Sequence, residues 1–254
     1  MSIDEFWLID PAEYLKPEYR NDKDSVDLVR RIWNKSSNPR RNLIAELEQK
    51  GVKVQSVSAN GRNNILTVVA PTREFYMGKL EEMLELDGKK KHSKVDTSKY
   101  DENAEVDEDE VKSVMDECTD DSPTNASSIV LLYEPGDGKR LLFTGDATQE
   151  SLQWAIDNFE LNDIDFLKVP HHGSKHNLTT PIIDTLAPKK SYITASGTSK
   201  HPSSAVVYWL SKHGDVYSTH PDNVHSYLHY GYNVPCRKGC GTIDPFKKKQ
   251  KKDK

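Results

Sequence analysis

Apolar and polar positions alternate along this chain in short blocks, and the period of each block predicts one kind of element. Residues 140–144 (RLLFT) and 164–169 (IDFLKV) are apolar runs of strand length. Between them, Leu152, Ala155, Ile156 and Phe159 recur at i, i+3, i+4 and i+7, the spacing of one helix face, with Thr148 at the capping position and Ser151 in the first turn. The unit reads strand, helix, strand. A crossover of this length between parallel strands is right-handed, so both strand ends should meet at one edge of one sheet. The first strand runs into Gly145-Asp146 and the second into Pro170-His171-His172-Gly173-Ser174. Asp146 and the paired histidines are therefore expected to converge.

The remaining pattern extends the same alternation. Strands are predicted over 3–9, 52–57, 65–70, 128–133, 191–195 and 216–219, and helices over 25–33, 41–50, 181–186 and 203–212. Pro71-Thr72 opens a further helix carrying Phe75, Leu80, Met83 and Leu84, which ends near Gly88. Ser36-Ser37-Asn38-Pro39 breaks the first helix pair, Gly51 closes it, and Pro135-Gly136-Asp137-Gly138 is a hairpin signal between two strands. Residues 89–123 turn from basic (KKKHSK) to acidic without any apolar period, which predicts a mobile insertion. The expected class is α/β, with one domain over 1–221 that includes the insertion and an extension over 222–254 ending in a lysine-rich tail.

Composition adjusts this picture in three places. At 254 residues the chain can bury a substantial core, and its 35% hydrophobic and 30% charged content reflects the polar segments rather than an even spread. No run is long enough to span a bilayer and the start, MSIDEFWLID, has neither a basic region nor an apolar signal core, so a cytoplasmic protein without a membrane partner is expected. Three cysteines, Cys118, Cys236 and Cys240, exclude a secreted disulfide framework, and a formal charge of −5 gives no global case for nucleic-acid binding.

Aspartate and histidine at neighbouring strand ends suit a divalent metal, because carboxylate oxygen and neutral imidazole nitrogen are common zinc ligands. Taken singly, a Gly-Asp turn or one histidine is more often structural. The combination, in this order around one helix, is the specific signal. A second constellation, His225-x-x-x-His229 and Cys236-x-x-x-Cys240, has the residue types of a structural zinc site. Its six-residue linker is short and its order reversed from common fingers, so a tyrosine-rich surface hairpin with reduced thiols is the competing reading. The acidic run 101–121 reads as a solvated loop and the tail as a solvated terminus.

The segments TNASSIVLL, RLLFTGD, DFLKVPHHGS, SKHPSS and DVYSTH resemble the C-terminal half of metallo-β-lactamase-fold hydrolases, in particular the branch related to the soluble domain of ComEC-type competence proteins. The likeness is clearest over 125–219 and extends back to residue 3. It implies an αββα sandwich that binds one or two zinc ions, Zn(2+), along one edge. By this resemblance Asp146 matches the bridging aspartate, and His171 or His172, undecided by sequence, supplies the late histidine ligand. Asn125 falls where many members carry a metal-binding histidine, and His201 matches a histidine that can donate to a developing oxyanion. Ser174, Lys175, His176 and Lys200 lie close enough in sequence to support the ligands or hold substrate.

One departure is decisive for function. The family's principal motif, His-x-His-x-Asp-His, is absent from residues 1–125, whose one histidine is His92 in the charged segment. The resemblance therefore implies a sandwich incomplete at its N-terminus, whose missing ligands come from a partner chain or an absent N-terminal segment. The activity it implies is metal-dependent hydrolysis of a phosphodiester, in nucleic acid or a nucleotide. Two alternatives stay open: a non-catalytic binding or regulatory module, and a structural half that pairs with an N-terminal partner.

Overall fold

The apolar runs pair as their periods require. A computed structural model of the chain describes residues 5–9, 11–23, 26, 46–86, 106–195, 201–219, 224–226 and 242–243. Its main sheet has six strands: β3 (Leu66–Ala70), β4 (Val130–Tyr133), β5 (Leu141–Phe143), β6 (Phe166–Lys168), β7 (Lys190–Ile193) and β8 (Asp215–Ser218), in that spatial order. The β3–β4 and β4–β5 pairs are antiparallel and the three pairs from β5 to β8 are parallel. A separate parallel pair joins β1 (Glu5–Leu8) to β2 (Lys53–Ser56). The fold is thus α/β with a mixed, mostly parallel sheet. Strand bounds move by at most two residues from those expected: most ends shorten, Ala70 and Tyr133 fall where expected, and β7 and β8 each begin one residue earlier.

The parallel strands need crossovers, and helices supply them: α6 (Gln149–Asn158), α7 (Thr180–Leu186) and α8 (Ser204–Ser211). Thr148 caps α6 by accepting from the Ser151 N–H. Leu152 and Ala155 on its inner face are buried, and Ile156 and Phe159 pack beside them. Together with Leu142, Leu167, Val216 and the apolar length of α8 they form the principal core. Each fully buried large side chain there contributes about 1.5–3 kcal/mol. On the opposite face Phe143, Phe166 and Tyr192 run across three strands, with ring centroids 5.8 and 6.3 Å apart. A smaller core seats the N-terminal elements, α1 (Pro11–Tyr14) and α2 (Pro17–Arg20), near α3 (Arg73–Leu86) through Ile9, Tyr14, Leu15, Tyr76, Leu80 and Met83. The Tyr14 hydroxyl donates to the Val57 carbonyl at 3.1 Å.

The acidic segment departs from expectation. Residues 106–123, expected to belong to a mobile insertion, contain helix α4 (Glu108–Asp116) and lead into α5 (Pro123–Ala126). Asp107 caps α4 through the N–H groups of Asp109 and Glu110. Met115 is fully buried, and Val106 joins it in the core. Several acidic side chains act as acceptors: Asp116 takes the Thr180 N–H and hydroxyl, both at 2.8 Å, and Glu108 takes the Tyr208 hydroxyl at 2.9 Å. Burial and that carboxylate push the Tyr208 phenol up to about 12. Composition conceals this, because the short apolar stripe Val111, Val114 and Met115, at i, i+3 and i+4 against the core, sits in a run dominated by carboxylates. The first part of the insertion, the 25–33 helix apart from residue 26, residues 41–45 and most of the 222–254 extension lie outside the described residues. In that extension the backbone of β9 (Val224–Ser226) pairs antiparallel with β10 (Thr242–Ile243).

If α4 belongs to the core, Met115→Ala should lower unfolding stability by about 2–5 kcal/mol. Urea denaturation reads this directly; a wild-type midpoint and slope would show that 106–123 adds nothing to the folded state.

Candidate active site

The site begins where β5 and β6 end side by side, with Phe143 opposite Lys168 in the parallel register. Past the ladder, the His171 N–H donates to the Gly145 carbonyl at 3.2 Å, and the Lys168 ammonium donates to the same carbonyl at 2.9 Å. The Thr144 hydroxyl donates to the Lys168 carbonyl at 2.6 Å, and the Asp146 N–H donates to the Ser128 hydroxyl at 3.1 Å. Burial lowers the Lys168 pKa, against the raising effect of the nearby Asp146 charge. The two turns are stitched together by one backbone bond and by the Lys168 and Thr144 side chains.

Three consecutive residues of the second turn are left-handed: His171 (φ 42°), His172 (φ 57°) and Gly173 (φ 79°). For non-glycine residues this conformation costs roughly 1–3 kcal/mol each and persists where the surroundings over-determine it. Gly173 has a second reason to be glycine, since a Cβ there would lie 2.9 Å from Pro202 Cβ and 3.3 Å from Ile193 Cγ2. Its carbonyl accepts from the Ser203 N–H ahead of α8, and the Ser174 N–H closes the turn onto the His171 carbonyl.

The left-handed turn sends the two histidines in different directions. His171 Nδ1 lies 3.0 Å from Asn177 Oδ1, 3.3 Å from Asp120 Oδ2 and 3.3 Å from Asn125 Nδ2. Asp120 is itself surrounded by donors: Asn125 Nδ2 at 2.7 Å, Asn177 Nδ2 at 2.9 Å and the Ser122 N–H at 2.9 Å. Burial alone would raise its pKa, but hydrogen bonds from His171, Asn125, Ser122 and Asn177 outweigh it and hold the carboxyl well below the usual carboxylate range. The hydrogen bond to Asp120 raises the His171 pKa against the opposing effect of burial, with Asp146 adding to the rise. His172 is exposed and directs Nδ1 to the Thr194 carbonyl. The His201 ring stands beside both, its centroid 5.4 Å from His171 and 6.3 Å from His172, which are themselves 6.1 Å apart.

The other expected positions separate into groups. Ser174 is 2% exposed and its hydroxyl accepts the His176 N–H, so it braces the loop from inside. Lys175 and His176 are half-buried beside it. Lys200, His229, Cys236 and Cys240 lie outside the described residues, and of His225 only the β9 backbone is described. Asp120, Asn177 and Lys168 were not singled out by sequence. Asp120 is hidden in an acidic run, and the single hint at Lys168 is a charge at the end of an apolar strand.

Asp146 and His171 are donor types that a zinc-like divalent ion accepts, and an imidazole backed by a carboxylate is typical of metal-ligating histidines. Among the described residues, however, no three His, Cys, Asp or Glu side chains are grouped to hold an ion. The pair fits part of a metal site, short of the three protein ligands of a catalytic zinc centre. Protonated imidazole cannot coordinate, so the raised His171 pKa also makes ligation favour higher pH.

No family model matches the chain. Over 99 residues it is 36% identical to ComE operon protein 3 of Bacillus subtilis (strain 168); the match takes in 38% of this chain and 13% of that protein. The chain therefore corresponds to a small part of that relative's length. Among the described residues no helix is long and apolar enough to cross a membrane.

The two pKa shifts define a stability window. His171, raised from 6.5, contributes fully below that value and loses its contribution as pH climbs through its folded pKa. Asp120, lowered from 3.8, contributes fully above that value and loses its contribution as pH falls through its folded pKa. The stability difference between wild type and Asp120→Asn should therefore be largest between pH 3.8 and 6.5 and shrink on the alkaline side. Denaturation across pH measures it; a flat difference would rule out an Asp120–His171 ion pair.

Proposed function

We propose that this chain contributes Asp146 and His171 to the divalent-metal site of a phosphodiester hydrolase with a metallo-β-lactamase-type sandwich. The remaining ligands come from a partner chain or from an N-terminal segment that carries His-x-His-x-Asp-His. The observation that carries this reading is the placement of His171 beside the Gly145-Asp146 turn with its Nδ1 held by Asp120 and Asn177, the support that metal-ligating histidines take. The five motif segments and the partial likeness to ComE operon protein 3 support it further, and the resemblance of those segments to ComEC-type hydrolases is the ground for choosing nucleic acid or a nucleotide as the substrate class.

A bound divalent ion would supply Lewis-acid activation of water and neutralise phosphoester charge. The chain's own residues have separate tasks. Asp146 holds the ion, His171 offers a ring nitrogen, and the Lys168 ammonium secures the Gly145 carbonyl that sets the spacing of these two. His201, whose ring lies near both histidines, would donate to charge developing on a phosphoryl oxygen.

The isolated chain should show almost no chelator-sensitive hydrolysis of bis-p-nitrophenyl phosphate, because about three good protein ligands are required. Supplying an N-terminal fragment that carries His-x-His-x-Asp-His should restore metal-dependent hydrolysis, and Asp146→Ala or His171→Ala should then abolish it. Robust activity of the chain alone, lost on Asp146→Ala, would refute completion from outside. Inactivity of the reconstituted pair, with both parts folded and bound, would favour a non-catalytic module instead.

A further inference from the structure

We propose that Asp120, on the acidic segment, is a positioning residue for His171: with Asn177 it fixes the imidazole as the Nδ1–H tautomer and leaves Nε2 as the free electron-pair donor. Taken with the metal-site reading above, on which only this last step rests, Nε2 is the atom offered to the cation.

The tautomer follows from the oxygens around Asn177. This side chain is fully buried, and its Nδ2 has three oxygen neighbours: Asp120 Oδ2 at 2.9 Å, the Ala147 carbonyl at 3.1 Å and the Asp146 carbonyl at 3.3 Å. Reversing the amide would set Oδ1 against three acceptors, so its orientation is determined by the network. Its Oδ1 therefore faces His171 Nδ1 at 3.0 Å, and an amide oxygen can only accept. The second oxygen near Nδ1 belongs to the Asp120 carboxylate at 3.3 Å, also an acceptor. Nδ1 must carry the hydrogen. One Asn125 N–H donates at 2.7 Å to the same carboxylate and anchors Asp120; the other, 3.3 Å from Nδ1, is outweighed by the two acceptors there, one of them nearer and the other charged.

Asp120 also connects this tautomer to the packing of the acidic segment. Asn125 sits in α5, the Ser122 N–H and hydroxyl bracket the start of that helix, and the side chain of Asp120 is 10% exposed. A carboxylate fixed on several sides is a stiffer orienting group than one on a long rotatable arm. His172 lacks this support. It faces one neutral carbonyl, is exposed, and has no carboxylate against its ring nitrogen among the bonds described.

Imidazole ¹⁵N spectra of the full chain, recorded well above the titration of His171, test the proposal. Wild type should show protonated Nδ1 and bare Nε2. In Asp120→Asn and Asp120→Ala the population should move toward the Nε2–H form while the amide spectrum stays folded. A Zn(2+) titration of the same proteins, each bound to an N-terminal fragment carrying His-x-His-x-Asp-His, should show affinity falling about 10–100-fold in the variants. His171 found as Nε2–H in wild type, or as Nδ1–H unchanged in both variants, would overturn the positioning role. A tautomer shift without zinc binding by the reconstituted wild type would support that role and overturn the metal-site reading alone.

Discussion

The candidate site depends on three consecutive left-handed residues, His171 to Gly173. Two of them carry side chains, and the strain of such residues persists only where other bonds pin the chain. Here the pins come from four directions. The His171 N–H is held by Gly145, the His171 ring by Asp120 and Asn177, the His172 ring by Thr194 and the Gly173 carbonyl by Ser203. Without that turn the paired histidines would alternate to opposite sides, as neighbouring side chains in a strand do. With it, His171 reaches back toward Asp146 and His172 reaches across to β7.

Charge is distributed around this turn so that Asp120, His171 and Lys168 each face an opposing group. Asp120 is ionised because donors surround it, and His171 binds its proton more tightly because Asp120 is ionised. Lys168, whose ammonium is disfavoured by burial, has the Gly145 carbonyl and the Asp146 charge to offset that cost. The raised His171 pKa means that a divalent ion would compete with a proton for this ring.

The acidic segment shows how composition misleads. A run dense in Asp and Glu usually stays solvated, since it cannot bury enough apolar surface to offset the entropy of ordering. Residues 106–123 escape that rule with a short apolar stripe, Val106, Val111, Val114 and Met115, because their carboxylates each find specific donors. One caps its own helix, one binds the start of α7, one holds a tyrosine of α8 and one orients a histidine. These bonds are long-range in sequence, so no window of neighbouring residues reveals them.

Much of the architecture was legible in the chain itself. Period-two and period-3.6 blocks mark the strands and helices, Thr148 marks the start of α6, and strand–helix–strand spacing requires parallel neighbours whose ends share an edge. That is enough to bring Asp146 and the histidine pair together, because these constraints act within about thirty residues of chain. The sequence could not say which histidine turns inward, since that depends on backbone φ values set by contacts with Ser203, Gly145 and Ile193. Nor could it find Asp120, Asn177 or Lys168, which become site residues only when distant segments meet. Local periodicity determines elements because it is a property of adjacent residues, whereas hydrogen-bond partners and proton affinities are properties of space and were decided by the tertiary structure alone.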